Sequence, residues 1–238
     1  VGAALLAGRA ALYTGAGRVF VGCLAEQAPA VDFAHPELML RPPRQVLGAC
    51  PMLLLGPGMG TGAAAVDLLR DALASTQTLV LDADALNLLS ADTKLATTAA
   101  SRQGTLLMTP HPAEAARMLG VNTAAVQQDR VAAAEALAQR YRCHLLLKGN
   151  GSILSRPQGS WQINSSGNPG MASAGMGDAL AGMLASLLAQ GLPPEEALQL
   201  AVWLHGAAAD ELVAAGRGPL GITASDVIAQ ARLILNRR

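Results

Sequence analysis

Residues 170–184 read GMASAGMGDALAGML, with glycines at 170, 175 and 177 ahead of a single acid, Asp178, and an apolar run of helical spacing behind it. A glycine-rich turn that opens a helix leaves amide N–H groups without partners, and together with the helix dipole they form an anion site. An alcohol attacking a phosphoryl group held at such a site needs a carboxylate to take its proton. Asp178 stands where that carboxylate would be required. A plain helix cap would account for the aspartate, but not for three glycines with no competing charge, so Asp178 is taken as a catalytic base.

Five further stretches bear on chemistry. In TPHPAEAARMLG, His111 lies between two prolines that hold the loop stiff and extended, which favours a ligand contact over packing. Glu114 follows in the first helical turn, where the dipole alone would favour an acid. LLLKGNGS ends an apolar run with Lys148, Gly149, Asn150, Gly151 and Ser152. Its glycines expose N–H groups able to line phosphates, although the lysine alone would also fit a side chain snorkelling from a sheet edge. GPGMGTG at 56–62 is neither a P-loop nor a full dinucleotide fingerprint, and an ordinary strand-to-helix turn explains it equally well. LDADALNLL carries Asp82 and Asp84; a helix cap at Asp84 and an acid beside a metal or polar substrate have equal weight. His205, in WLHGAAAD, reads first as a packing histidine and second as a lining residue of a nucleotide pocket.

These stretches need a scaffold, and the intervening sequence describes one. Strand-like runs at 18–23, 52–56, 78–84, 105–110 and 144–149 alternate with helical patterns near 3–15, 62–75, 84–100, 113–119 and 122–141. Several of the runs are continuously apolar, as expected of strands buried on both faces of a parallel sheet. The alternation implies βαβ units and an α/β sandwich with helices on both faces of a mostly parallel sheet. SILS and SWQIN flank a Pro/Gly turn and predict an antiparallel hairpin at the sheet edge, followed by helices over 177–190, 194–215 and 223–236. In open sheets of this type ligands sit beyond the carboxyl ends of the strands. GPGMGTG, DADALN, TPHPAE and KGNGS each follow a predicted strand, so topology gathers them on one rim.

Bulk composition narrows the partner. The 238 residues are 51% hydrophobic, enough for a sizeable core, and 17 basic residues balance 17 acidic ones, which removes the basic footprint of a nucleic-acid or anionic-membrane binder. Apolar runs stop short of the ~20 residues of a membrane span, and Arg9 and the lack of a basic leader argue against a signal peptide. Cys23, Cys50 and Cys143 are far apart in apolar contexts, which fits reduced thiols and a cytoplasmic setting. No linker divides the chain, so residues 1–238 are expected to form a single domain that binds a small molecule.

Taken in order, GAALLAGRAAL, GPGMG, LDADALN, TPHPAEAARMLG, LKGNGS, GNPGMASAGMGDALAG and HGAAAD resemble the ADP/ATP-dependent NAD(P)H-hydrate dehydratases, ribokinase-like enzymes that repair hydrated nicotinamide cofactors. The resemblance runs from residue 1 to about 230. It implies a ribokinase-like three-layer sandwich that phosphorylates the hydroxyl of the (S)-hydrates of NADH and NADPH and then eliminates phosphate. Carried over residue by residue, it implies that Lys148, Gly149, Asn150, Gly151, Ser152 and Gly177 hold ADP or ATP. Ala3, Gly58, His111 and Asp178 would contact the hydrate, and Glu114 would help organise Mg²⁺ through water. It also implies a homo-oligomer, commonly a tetramer. The family's first strand and glycine-rich turn would precede Val1, as would the epimerase domain fused to many bacterial members, so the chain is expected to be a carboxy-terminal part of such a protein. Met176 stands where many members have a threonine, leaving only backbone donors there. Two other readings use the same residues: a kinase of the same fold acting on a vitamin-precursor alcohol such as hydroxymethylpyrimidine or hydroxyethylthiazole, and a nucleotide-binding module without turnover.

Overall fold

GAALLAGRAALY contains neither proline nor a β-branched residue, and it forms α1 (Gly2–Tyr13). The computed structural model describes residues 1–237, which pack as two compact units: Val1–Val46 together with the chain from Ser165 onward, and Leu47–Asn164. After α1 the chain forms β1 (Phe20–Val21), β2 (Met39–Leu40) and α2 (Pro43–Ala49), within which it passes from the first unit to the second. The strand expected over 18–23 is thus a two-residue strand that pairs in parallel with β2 and stays out of the main sheet. The Met39–Leu40 strand itself has no alternating or continuous apolar pattern long enough to betray it.

The second unit carries the sheet. In order it forms β3 (Met52–Leu55), α3 (Ala63–Ala74), β4 (Thr78–Leu81), α4 (Asp84–Ala91), α5 (Thr93–Ala100), β5 (Leu106–Met108), α6 (Pro112–Leu119), α7 (Thr123–Gln128), α8 (Arg130–Tyr141), β6 (His144–Leu147), β7 (Ser152–Ser155) and β8 (Trp161–Asn164). The strand order is β3-β4-β5-β6-β7-β8, parallel from β3 to β6 and antiparallel through the last two pairs. The sheet is therefore mostly parallel with helices packed on it, as the alternation predicts, and the hairpin lies at its edge. Leu79, Val80, Leu81, Leu107, Met108, Leu145, Leu146 and Leu147 are fully buried, which accounts for the unbroken apolar runs. Register aligns Leu55 with Leu81 and Leu81 with Met108, so the carboxyl ends of the parallel strands finish together.

Two helices expected to be continuous are each divided by an aspartate. Asp92 accepts from the N–H groups of Lys94 and Leu95 and starts α5; Asp129 accepts from Ala132 N–H and starts α8. A short acidic side chain that caps the following turn competes with continuation of the preceding one.

The rest of the first unit comprises a 3-10 turn (Pro169–Met171), α9 (Met176–Ala189), α10 (Pro194–Ala214) and α11 (Ala224–Leu235). Their shared core is built from Ala10, Met176, Ala179, Met183, Leu204, Ala208, Leu212, Ile222, Val227 and Ile228, with Leu6 and Tyr13 against it. Small residues let α1 and α9 lie close: a Cβ on Gly182 would stand 2.1 Å from the Ala7 carbonyl oxygen. No helix among the described residues is long and apolar enough to cross a membrane.

Candidate active site

In the second unit, the residues after the parallel strands form a rim of interlocked polar groups. Gly56 directly follows β3 with φ of 125°, and a Cβ there would lie 1.7 Å from the Asp82 carbonyl oxygen. Only glycine permits that approach of the two strand ends. The loop it opens exposes Gly58, and Gly60 N–H donates to Asp84 Oδ2 at 2.8 Å. Asp84 is therefore neither the cap of α4 nor a free acid; it ties the glycine loop down. Ala83, between the two aspartates, holds φ 48° and ψ −115°, a conformation costly for a residue with a Cβ. Strain of that kind, at the mouth of the sheet, is maintained by what flanks it.

Asp82 is the other flank. It is almost fully buried, and its Oδ1 accepts from Lys148 Nζ at 2.6 Å across 66 residues of sequence. The lysine is accordingly not a snorkelling side chain, since its ammonium is directed across the strand ends to a buried carboxylate. Its backbone N–H donates to the Pro110 carbonyl at 2.8 Å, and Ser152 closes the following loop by accepting from Gly149 N–H and donating to Gly149 O. Gly149 and Asn150 remain exposed, with Gly151 and Ser152 half-buried.

His111 has a structural task that the sequence did not reveal, because histidine is an unusual helix cap. Its Nδ1 accepts from Ala113 N–H at 3.1 Å and Glu114 N–H at 3.3 Å, while Glu114 Oε2 accepts from His111 N–H at 2.8 Å. This reciprocal box starts α6. With Nδ1 accepting, the ring proton resides on Nε2, which lies 3.3 Å from Glu114 Oε1. Burial holds the ring below its ordinary pKa of 6.5, Lys148 and Arg117 push it further down, and Glu114 works in the opposite direction. The result is a half-exposed imidazole whose Nδ1 is occupied as an acceptor and whose ring proton resides on Nε2. Glu114 itself is buried, with Oε2 taken by the His111 amide.

The first unit carries the glycine turn that precedes Asp178. Gly175 precedes α9 with φ of 86° and supplies no side chain to cap it, so the amides of the first turn are presented at the helix start. Gly177 and Asp178 lie in that turn and are half-buried. Ala3, half-buried in the first turn of α1, belongs to the same unit. The preceding loop is held by α10: Asp210 accepts from Gly167 N–H at 2.8 Å and from Asn168 Nδ2 at 2.9 Å, and a Cβ on Gly206 would meet Ser166 Oγ at 2.2 Å. HGAAAD is thus a docking face for residues 166–168, and His205 within it is buried in α10. Asp210 follows Gly206 by one helical turn, an i,i+4 spacing that is visible in the sequence once its partner loop is known.

The chain's matches to known proteins agree with this arrangement. A family profile described as NAD(P)H-hydrate dehydratase matches residues 1–231. An ADP-dependent (S)-NAD(P)H-hydrate dehydratase of Neisseria meningitidis serogroup B is 41% identical over 99% of this chain and 81% of its own length. A bifunctional NAD(P)H-hydrate repair enzyme of Moorella thermoacetica is 40% identical over 95% of this chain, which spans 45% of that relative. Among solved structures, an ADP/ATP-dependent NAD(P)H-hydrate dehydratase of Bacillus subtilis, co-crystallised with ATP and Mg²⁺, superposes with a TM-score of 0.85 at 27% identity, covering 98% of this chain and 84% of that one. A ribokinase-like protein of Enterococcus faecalis gives 0.84 at 26% identity over 98% and 82% of the two chains. A hydroxyethylthiazole kinase of Pyrococcus horikoshii, at 12% identity and a TM-score of 0.66 over 96% and 93%, shares the fold alone. A profile match over residues 1–231 and a relative above two-fifths identity over nearly the whole chain leave one assignment: this chain belongs to the NAD(P)H-hydrate dehydratase family.

Proposed function

We propose that this chain dehydrates (S)-NADH hydrate and (S)-NADPH hydrate, with ADP or ATP as phosphoryl donor. In the first step Asp178 takes the proton of the hydrate hydroxyl as its oxygen attacks the terminal phosphorus, and ADP leaves AMP or ATP leaves ADP. In the second the C–O bond to the phosphorylated oxygen breaks, inorganic phosphate departs, and the neighbouring carbon releases a proton so that the ring double bond returns. Hydride content is unchanged throughout, so no oxidant or reductant is consumed.

The observation that carries this reading is the start of α9, where a left-handed glycine offers no capping side chain and the one first-turn acid is Asp178. Amide groups there suit a migrating phosphoryl group, and the carboxylate suits its acceptor. Lys148, Gly149, Asn150, Gly151, Ser152 and Gly177 hold the nucleotide in this proposal, and Ala3, Gly58, His111 and Asp178 contact the hydrate. Gly58 suits that role better than Gly56, because Gly58 is exposed and Gly56 is buried against the Asp82 carbonyl. His111 contributes as a neutral donor at Nε2. Mg²⁺ would arrive with the nucleotide phosphates. Glu114 would act on that ion only through water. Mg²⁺ would neutralise phosphate charge when bound.

Because the family match runs through both compact units, we take residues 1–238 as one functional domain. A homo-oligomer, a fused or separate epimerase and a cytoplasmic setting complete the proposal. The hydroxyethylthiazole kinase likeness favours no competing substrate, since it extends to fold only. The test is direct: protein, Mg²⁺, ADP or ATP and NADH hydrate are mixed, and dihydronicotinamide absorbance is followed. Recovery that depends on nucleotide supports the proposal; stoichiometric consumption of nucleotide without recovery would point to a kinase.

A further inference from the structure

Arg130 opens α8, and its guanidinium grips the loop that follows β6 from behind. Nη1 donates to the Asn150 carbonyl, and Nη2 donates to the carbonyls of Leu147 and Lys148 at 3.3 Å each. A Cβ on Gly149 would lie 2.8 Å from Nη2, so the glycine is what lets the guanidinium reach this position. A trans peptide directs its N–H opposite to its C=O. With the Asn150 carbonyl drawn to Arg130, the Gly151 N–H faces away from it, while Gly149 N–H is taken by Ser152 Oγ.

We propose that Arg130 is the positioning residue of the nucleotide loop: by holding the carbonyls of Leu147, Lys148 and Asn150 on one side, it fixes the loop and turns the Gly151 N–H to the other side as a preset phosphate donor, the Lys148 and Gly149 amides being taken by Pro110 and Ser152. Three carbonyl oxygens left without their cation would instead raise negative potential beside an incoming polyphosphate. A fork of fixed donors is suited to this task, whereas a lysine offers one point charge. The inference rests on the reading that residues 148–152 receive adenine nucleotide, and it adds to that reading a residue outside the loop that shapes it.

The experiment measures ADP binding by calorimetry, and KM for ADP and kcat, for the wild-type chain, Arg130→Ala and Arg130→Lys. Charge-assisted hydrogen bonds of this kind imply a Kd raised about 10- to 100-fold in Arg130→Ala. KM should rise in step while kcat at saturating ADP stays within about twofold, since the contact is made in ground and transition state alike. Methylguanidinium added to Arg130→Ala should recover part of the affinity. Arg130→Lys, which keeps the charge and the stem, should lose about tenfold in affinity, and it carries the test if the alanine variant does not fold. A folded Arg130→Ala or Arg130→Lys that binds ADP as the wild type does would overturn the assignment, and so would a fall in kcat without a change in Kd or a failure of methylguanidinium to rescue. A wild-type chain that binds no ADP would instead overturn the functional reading, and this proposal with it.

Discussion

Gly182 sits one helical turn after Asp178, on the side of α9 that meets α1. A methyl group there would stand 2.1 Å from the Ala7 carbonyl oxygen and 2.8 Å from Ala10 Cβ. Neither neighbour has a rotamer to change: one is backbone and the other is fixed to a buried helix. Ordinary contact distances therefore demand that the two helices part by roughly 1 Å, and van der Waals contact is lost along the seam. Overpacking of this type costs about 1–3 kcal/mol, with rigid neighbours placing it at the upper end. The better helix propensity of alanine returns about 1 kcal/mol, for a net loss of about 2 kcal/mol. For a chain of this length that lowers Tm by roughly 4–8 °C. The same displacement shifts Asp178 and Ala3, each about a turn from the contact, and a misplacement of that size lowers turnover by up to about 10²-fold. Gly182→Ala is to be compared with Gly48→Ala in α2, where nothing lies within 4 Å of an added Cβ and no loss is expected. Differential scanning calorimetry and the absorbance assay read both effects. If Gly182→Ala melts at or above the wild-type temperature with unchanged turnover, the packing reasoning is wrong.

The remaining predictions concern charges. Asp178→Asn should lower turnover by about 10²–10⁴-fold while ADP binding persists, and an unchanged rate would remove the base assignment. Asp82→Asn leaves the Lys148 ammonium, 17% exposed, without its carboxylate, and should cost about 3 kcal/mol in urea denaturation. Adding Lys148→Met should recover part of that loss, whereas additive losses would mean that the pair is not coupled. For His111, burial sets the folded pKa below 6.5, so between that lower value and 6.5 the unfolded chain binds more protons. Stability should therefore hold above pH 6.5 and decline as pH falls below it, and Asn, itself a capping residue, should remove this component in His111→Asn. A stability difference between the two proteins that is the same at pH 7.5 and 5.5 would contradict the proton placement.

Part of this protein was legible from residue order alone because some signals are local. Continuous apolar runs marked β3 through β6, and the residues after them marked the rim, since strand period and burial are properties of neighbouring residues. The alternation of strands and helices implied the mostly parallel sheet, and the glycine turn before Asp178 marked a helix start, which the structure places at Gly175. The breaks at Asp92 and Asp129 were also within reach, as both are capping residues inside otherwise helical patterns. Pairings between distant residues were not. That Lys148 meets Asp82, that Asp84 holds Gly60, that Asp210 holds Gly167 and that Arg130 grips residues 147–150 depend on which strand ends and helices become neighbours. A polar side chain carries no period and names no partner; its role follows from the groups that the packed backbone sets within hydrogen-bond reach.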